Sequence, residues 1–340
     1  MMHYQAGSGD SMSDSSLPAD KHELRTDFLG RSVVLAPSRS ARPHDFEPHV
    51  PAKKSDAASC YFCPRNEHTT PPEIERVGLD GAFRAPPARG SPQTSEWRAR
   101  VFPNAYPAFS KTFSKAYGVH EVVVETPDHS KTLSQLDEAG FSRWLGLLAR
   151  RLRAHEKDRK LKYTVIFKNE WAAAGASLEH THTQLVGMGL VPATIKREQK
   201  LCKSSCPFCL LSVDDKFLKI IEDGPFLAMA PYAPRFNHEV WVVPRAHTAS
   251  LVDLDETAIT ALGRTVRSIL RAQDACLNYP AYNLIFHVAP LREKNFHFHI
   301  EICPRIGQWA GFEMGFDMQM NSVRPEETAT LYKDWLRANP

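Results

Sequence analysis

The chain has 340 residues, of which 42% are hydrophobic and 24% charged, so it can bury a sizeable core in two modest domains or one fused pair. A net charge of only +3 gives no argument for binding nucleic acid or an anionic membrane. No apolar run approaches the ~18–20 residues of a membrane helix. The N-terminal stretch has neither the basic nor the apolar region of a signal peptide, which predicts a disordered tail over residues 1–22 and a cytoplasmic protein.

Four sequence elements occur twice in the same order. Each copy has a C-x-x-C pair, an H-E-V run, a further histidine and an H-x-H pair. The second and third elements are nine residues apart in both copies, and the next gap is 51 residues in the first copy and 50 in the second. This repetition predicts two homologous halves, residues 23–195 and 196–340. The repeated histidines are His120, His129, His180 and His182 in the first half, and His238, His247, His297 and His299 in the second.

Both halves also show the same order of predicted elements. The β-branched runs at residues 120–125 and 238–243 predict strands, and each is followed by an apolar stripe with helical period. Further strands are predicted at residues 163–167 and 282–286, and a last strand in each half carries the H-x-H pair. We therefore expect an α+β fold with mainly antiparallel sheets, and a surface loop over the Pro-rich residues 84–96. The two stripes are Phe141, Trp144, Leu145, Leu148 and Leu152, and Ile259, Leu262, Val266, Ile269 and Leu270.

The seven cysteines include the two C-x-x-C pairs, and in a cytoplasmic protein such thiols are normally reduced. A pair alone is compatible with redox chemistry, metal binding or neither. Two thiolates with two imidazoles complete a tetrahedral zinc shell, so we predict two structural zinc ions per chain; the alternative is reduced core cysteines beside hydrogen-bonded histidines. The predicted ligands are Cys60, Cys63, His129 and His180 in the first site, and Cys206, Cys209, His247 and His297 in the second. For the other positions we predict small buried side chains at Cys202, Cys276 and Cys303, and structural roles for His120 and His238.

The most informative stretch ends in H-x-H-x-Q. Alternate residues of a strand share a face, so His180, His182 and Gln184 are expected to line up. If His180 binds zinc, His182 is held beside it as a neutral imidazole that can attack phosphorus. The small turn at residues 175–177 offers backbone N–H groups and the Ser177 hydroxyl to an anion. On these residues alone, a second metal ligand or a packed strand remains an alternative.

From about residue 23 onward the chain resembles the galactose-1-phosphate uridylyltransferase family of the histidine-triad superfamily. The resemblance rests on residues 38–43 (SRSARP), the first C-x-x-C pair, residues 127–133 (PDHSKTL) and the H-x-H-x-Q stretch. It implies two histidine-triad-like halves and a nucleotidyl group carried on His182. The resemblance also implies that Ser177 and Gln184 hold phosphoryl oxygens, that Asn169 lies nearby, and that Arg39 and Arg42 face the sugar phosphate. The chain departs from the family pattern at Thr181 and Thr183, usually proline and glycine, and at Trp171, usually glycine.

The reaction implied is a double displacement between a nucleoside-diphosphate sugar and a sugar 1-phosphate or inorganic phosphate. The first expectation is a UDP-glucose:hexose-1-phosphate uridylyltransferase of galactose metabolism. One alternative is an ADP-glucose phosphorylase or a related adenylyltransferase; another is a non-catalytic zinc-containing module that binds nucleotides. The second half is expected to be catalytically silent, because it lacks the small turn and has Glu301 where the first half has Gln184. We expect no nucleic-acid or membrane partner, and the sequence is compatible with a homodimer.

Overall fold

The computed structural model describes residues 22–41, 56–88, 90–203, 205–211, 218–222 and 224–339. The predicted tail, apart from His22, and the predicted phosphate ligand Arg42 lie outside these residues. The helices are α1 (Glu138–Glu156), α2 (Ala193–Cys202), α3 (Glu256–Leu277), α4 (Gly311–Phe316) and α5 (Pro325–Ala338). The strands are β1 (Glu23–Thr26), β2 (Ser32–Leu35), β3 (Glu75–Val77), β4 (Phe83–Arg84), β5 (Ala99–Pro103), β6 (Gly118–Val124), β7 (Tyr163–Glu170), β8 (His182–Met188), β9 (Leu218–Ile221), β10 (Phe226–Ala230), β11 (Val240–Pro244), β12 (Tyr282–His287), β13 (His299–Pro304) and β14 (Met318–Asn321).

Eleven of these strands form one antiparallel sheet in the order β4-β3-β5-β6-β8-β7-β12-β13-β11-β10-β9. Its centre is palindromic: β5-β6-β8-β7 of the first half is mirrored by β12-β13-β11-β10 of the second. The halves meet where β7 pairs with β12, with Tyr282 opposite Glu170 and Ile285 opposite Phe167. The predicted α+β fold with antiparallel sheets is confirmed. The proposed boundary at residue 195 falls inside α2, and one sheet is shared by strands from both sides of it. The division into two domains stays a prediction.

The long helices cover one face of this sheet and bury their predicted stripes. All ten stripe residues are buried in one hydrophobic core that spans both halves. Each helix begins after an aspartate: the Asp137 carboxylate accepts the Gly140 N–H in α1, and Asp255 accepts the Ala258 N–H in α3. The helices approach closely at Gly263, where an added Cβ would lie 3.2 Å from the Phe141 Cβ.

The structure differs from the predicted elements at several positions. Strand β8 begins at His182, so His180 precedes it. Strand β11 begins at Val240, because the backbone at His238 turns through a positive φ of 61°. A second sheet of three short strands, β1-β2-β14, was not predicted; β2 pairs in parallel with β14, which is close to the other end of the chain. Within the described residues, no helix is both long and apolar enough to cross a membrane.

The contact between β6 and β8 depends on glycine. A Cβ at Gly118 would lie far closer to the Gly187 carbonyl oxygen than van der Waals contact allows, and 2.8 Å from the Phe109 Cβ. We expect Gly118→Ala to lower the free energy of unfolding by about 1–3 kcal/mol, because the obstructing atom is backbone and cannot rotate away. Chemical denaturation measures the change. Gly307→Ala is the control, since a Cβ there meets nothing within 4 Å. Equal stability of the two variants would contradict the close approach.

Candidate active site and metal clusters

The face of the sheet opposite the long helices carries the predicted active-site residues His182 and Gln184. In the pairing of β6 with β8, His182 lies opposite Val124 and Gln184 opposite Val122. His182, Gln184 and Ser177 all line one cavity of about 420 Å³. The structure therefore brings together three of the residues predicted from the H-x-H-x-Q stretch. The other lining residues are Tyr61, Phe62, Thr69, Thr70, Pro71, Phe102, Asn104, Ala105, Tyr106, Val122 and Leu178.

The ring of His182 has a defined tautomer. Its Nδ1 lies 2.8 Å from the carbonyl oxygen of His180, and because a carbonyl can only accept, Nδ1 carries the proton. Nε2 then keeps its lone pair and is the ring nitrogen that can attack. Burial, and next the positive charge of Lys168, lower the pKa of His182, which favours the neutral ring. Phe62 packs against it with ring centroids 5.3 Å apart. The arrangement is that of a nucleophilic imidazole.

The loop between β7 and β8 depends on two residues with positive φ. Gly175 has φ 90°, a conformation natural to glycine, whereas Trp171 has φ 66°, which strains a large side chain. Residue 171 is usually glycine in the family, and the positive φ observed here explains that preference. The Asn169 Nδ2 donates to the Gly175 carbonyl at 3.4 Å, and the Asn283 Nδ2 donates to the Asn169 Oδ1 at 2.8 Å. Asn169 thus braces the turn that precedes Ser177.

Two other predicted phosphate ligands, Asn169 and Arg39, lie outside the cavity lining. Asn169 is not among the residues that line the cavity, and neither is Arg39, which is exposed in the short helical turn Pro37–Ala41. The roles of Asn169, Arg39 and the undescribed Arg42 toward substrate stay predictions.

An ion cluster that sequence reasoning missed lies beneath His182. The ammonium group of Lys168 is fully buried and lies 3.1 Å from a Glu125 carboxylate oxygen and 3.0 Å from one of Glu170. Burial opposes the charge of Lys168, but the two carboxylates outweigh it and raise the pKa of the amine. The Thr181 hydroxyl, 2.6 Å from Lys168, donates to Glu125 at 2.6 Å, and Thr183 donates to Glu125 at 2.5 Å. The two threonines that depart from the family pattern thus satisfy buried charges.

The first predicted metal set forms a compact cluster. Cys60 Sγ lies 3.5 Å from His180 Nδ1, and Cys63 Sγ lies 3.4 Å from His129 Nδ1 and 3.5 Å from His180 Nδ1. A tetrahedral zinc shell places sulfur and nitrogen ligands about 3.5 Å apart. His180 Nε2 lies 2.8 Å from the Thr126 carbonyl, which fixes its proton there and leaves Nδ1 as the ligand atom. The four side chains could hold a metal ion.

The second predicted set repeats this geometry. Cys206 Sγ is 3.4 Å from His297 Nδ1, and Cys209 Sγ is 3.3 Å from His247 Nδ1. His297 Nε2 faces the Pro244 carbonyl at 2.9 Å, as His180 faces Thr126. His247 is exposed, so this cluster is closer to solvent than the first.

The isolated cysteines were predicted to be small buried side chains. Cys202 and Cys303 are buried and Cys276 is half-buried. Cys202 does more than fill space, because its Sγ lies 3.7 Å from that of the candidate ligand Cys206.

The second half repeats the nucleophile position but fills the space around it. His299 Nδ1 faces the His297 carbonyl at 3.1 Å, as His182 faces His180, yet the His299 ring is fully buried and stacked on Phe208 at 4.5 Å. The buried Glu301 carboxylate is ion-paired with Arg31 at 2.6 Å and with Arg235. Protein groups therefore occupy the region that corresponds to the cavity of the first half.

Glu198 and His287 complete this interior cluster and were not predicted. The Glu198 carboxylate lies 2.9 Å from His287 Nδ1, and the His287 ring stacks on His299 at 4.4 Å. Burial alone would lower the pKa of His287, but Glu198 and Glu301 outweigh it and raise that pKa to about 9. Glu198, His287 and His299 are side chains of the metal-ligating type, and Arg31 already pairs with Glu198 at 3.4 Å.

The histidines that head the H-E-V runs have different surroundings. His238 packs near Tyr332 and lies 3.3 Å from the Thr328 hydroxyl, in agreement with a structural role. His120 instead contacts Gln184, with 2.8 Å between Nε2 and Oε1, which the sequence did not indicate.

Two family models and several curated relatives match the chain. The model of the galactose-1-phosphate uridyl transferase N-terminal domain matches residues 16–192, and a model of a domain of unknown function matches residues 118–334. An ADP-glucose phosphorylase of Arabidopsis thaliana is 29% identical over 96% of this chain and 95% of its own length. A galactose-1-phosphate uridylyltransferase of Thermotoga maritima is 28% identical over 78% of this chain and 86% of its own.

Solved structures extend the likeness to the fold. The crystal structure of an Arabidopsis thaliana ADP-glucose phosphorylase with bound ADP-glucose superposes with a TM-score of 0.79 at 29% identity, covering 92% of this chain and 99% of that one. A uridylyltransferase structure superposes with a TM-score of 0.69 at 25% identity, covering 93% and 98%. Since the family model alone matches more than half of the chain, this protein belongs to the galactose-1-phosphate uridylyltransferase family.

Proposed function

We propose that the chain transfers a nucleoside monophosphate from a nucleoside-diphosphate sugar to a hexose 1-phosphate or inorganic phosphate through a covalent nucleotidyl-His182. The observation that carries the proposal is the His182 Nδ1 contact with the His180 carbonyl, which leaves Nε2 as the attacking atom in a cavity shared with Ser177 and Gln184. A ring nitrogen with a free lone pair, beside hydroxyl and amide groups that can hold phosphoryl oxygens, suits in-line phosphorus chemistry.

In the first step, Nε2 of His182 attacks the α-phosphorus, an N–P bond forms, and the P–O bond to the sugar 1-phosphate breaks. The ring then carries positive charge, which the His180 carbonyl stabilises through the Nδ1 proton. In the second step, a phosphate oxygen attacks the same phosphorus and the N–P bond breaks. Both leaving and attacking groups are already phosphate anions, so neither step requires a general base.

Two donors fit this proposal. The family model and the curated uridylyltransferases support a UDP-sugar with a hexose 1-phosphate acceptor. The similarity to ADP-glucose phosphorylase over nearly the whole chain supports ADP-glucose with inorganic phosphate. A screen of both nucleotide sugars against both acceptors decides between them. No transfer from either donor would reject the proposal.

A cytoplasmic location and a homodimer stay predictions.

We propose that zinc occupies both Cys/His clusters, giving two ions per chain. The sulfur–nitrogen spacings of 3.3–3.5 Å and the mixed donor set support zinc, and closed four-ligand sites of this kind stabilise the fold. Bound zinc would hold the loop around His180, and hence the carbonyl that His182 contacts.

For the metal proposal, we expect His180→Ala to reduce the metal content from about two zinc ions per chain to about one, because the first shell loses a ligand. Plasma emission spectrometry of protein purified without chelator measures the content. His182→Ala is the matched control, since its side chain belongs to neither cluster, and it should keep both ions. Zinc-free wild-type protein, or an unchanged His180→Ala variant, would contradict the assignment.

For the nucleophile, we expect His182→Ala to lower turnover on the order of 10⁴-fold or more, as loss of a covalent nucleophile does. His299→Ala should lower it less than about tenfold, because that ring is enclosed by Phe208 and His287. Steady-state rates are compared for variants whose circular dichroism matches that of the wild type. Equal losses from the two changes would reverse the assignment of the active half.

A further inference from the structure

His120 and Gln184 are held side by side by the pairing of β6 with β8. His120 lies opposite Val186 and Gln184 opposite Val122, so the two polar side chains are diagonal neighbours on the cavity face. Their closest atoms, Nε2 of His120 and Oε1 of Gln184, are 2.8 Å apart. Gln184 lines the cavity with His182, whereas His120 does not. His120 therefore reaches the candidate phosphate site only through its contact with Gln184.

The surrounding groups determine where the His120 proton lies. The backbone N–H of Ala108 donates to Nδ1 at 3.2 Å, so Nδ1 must be unprotonated and Nε2 must carry the proton. The Asn104 Nδ2 lies 3.3 Å from Nε2, but the Asn104 Oδ1 accepts the Tyr106 N–H at 2.8 Å, so this amide presents donors to the ring. The remaining acceptor for the Nε2 proton is the Gln184 oxygen. Burial lowers the pKa of His120, which favours this neutral form.

This arrangement fixes the orientation of the Gln184 amide. With Oε1 accepting from His120, both N–H groups of the Gln184 Nε2 are available to an acceptor on the cavity side. If the amide rotated by 180°, its carbonyl oxygen would face a phosphoryl oxygen, and two acceptors would repel each other. His120 also holds the segment of Asn104 and Tyr106, which lines the same cavity.

We propose that His120 is a positioning residue, which orients the Gln184 amide so that its N–H groups donate to the phosphoryl oxygens of the nucleotide. The proposal rests on the function proposed for His182. It assigns His120 a role that the matched His238 cannot have, because His238 lies in a turn and contacts Thr328.

Two substitutions distinguish a role in orienting Gln184 from a general structural role of His120. His120→Asn retains a group at the distance of Nδ1, which can still accept from Ala108, but it cannot reach Gln184. His120→Gln extends an amide donor to the distance of Nε2, so it should retain most of the activity. We expect His120→Asn to lower kcat/KM about 10- to 100-fold, in the range for loss of an aligned oxyanion donor, without lowering the thermal midpoint.

The decisive measurement is a double-mutant cycle with Gln184→Ala. In the Gln184→Ala background, His120→Asn should cost less than twofold in kcat/KM, because no amide remains to be oriented. An equal loss in both backgrounds, or no loss in the wild-type background, would overturn the proposal. A loss in the His120→Gln variant as large as in His120→Asn would also overturn it.

The same cycle is run on the dissociation constants of ADP-glucose and UDP-glucose, measured by calorimetry. If the wild-type chain binds a nucleotide sugar but transfers nothing, the function proposed for His182 fails. The double-mutant cycle on the dissociation constants still tests the proposal for His120. Coupling between His120 and Gln184 in binding would then support the positioning role. Additive losses, or binding of neither nucleotide sugar, would overturn it.

Discussion

Residue 180 joins the first Cys/His cluster to the candidate nucleophile. Its carbonyl oxygen accepts the Nδ1 proton of His182, while its imidazole Nδ1 faces the thiols of Cys60 and Cys63. The tautomer of His182, which the proposed attack on phosphorus requires, depends on the position of one peptide group. A metal ion bound by the first Cys/His cluster would restrict that peptide group without contacting substrate, and would therefore affect the proposed catalysis directly.

The other side of strand β8 provides the second restraint. Thr181 and Thr183 flank His182 and face the other way. Both donate their hydroxyl groups to the buried Glu125, which also pairs with Lys168. Removing one member would leave another buried and unpaired, which costs more than the cluster contributes when complete. The strand is thus held from both faces.

The two halves share the same strand order, but different side chains surround His182 in the first half and His299 in the second. Both place an imidazole Nδ1 against the carbonyl two residues earlier, at the residue where the strand begins. In the first half the ring borders a cavity, whereas in the second Arg31 reaches in from the hairpin between β1 and β2 to pair with Glu301. The duplicated fold therefore carries one accessible site and one occupied by its own side chains.

The sequence predicted the features that depend on local period and on matched spacing: the two long helices, the antiparallel sheet and both Cys/His clusters. It did not predict the β1-β2-β14 sheet, because residues 33 and 319 pair across almost the whole chain. Nor did it show that Lys168 is buried, since only the tertiary fold brings Glu125 to it. The contact between His120 and Gln184 was also missed, because the two residues are 64 positions apart and become neighbours only through the register of two strands.

The central claim is that His182 carries the nucleotide between the two half-reactions. The direct test is to incubate the chain with a nucleoside-diphosphate sugar without a phosphate acceptor, digest it, and locate the bound nucleotide by mass spectrometry. We expect one modified peptide, with the nucleotide on His182 through a bond that is stable in base and lost in acid. Addition of the acceptor should remove it. A nucleotide on another residue, or continued turnover with no trapped adduct, would contradict the account and point to direct transfer.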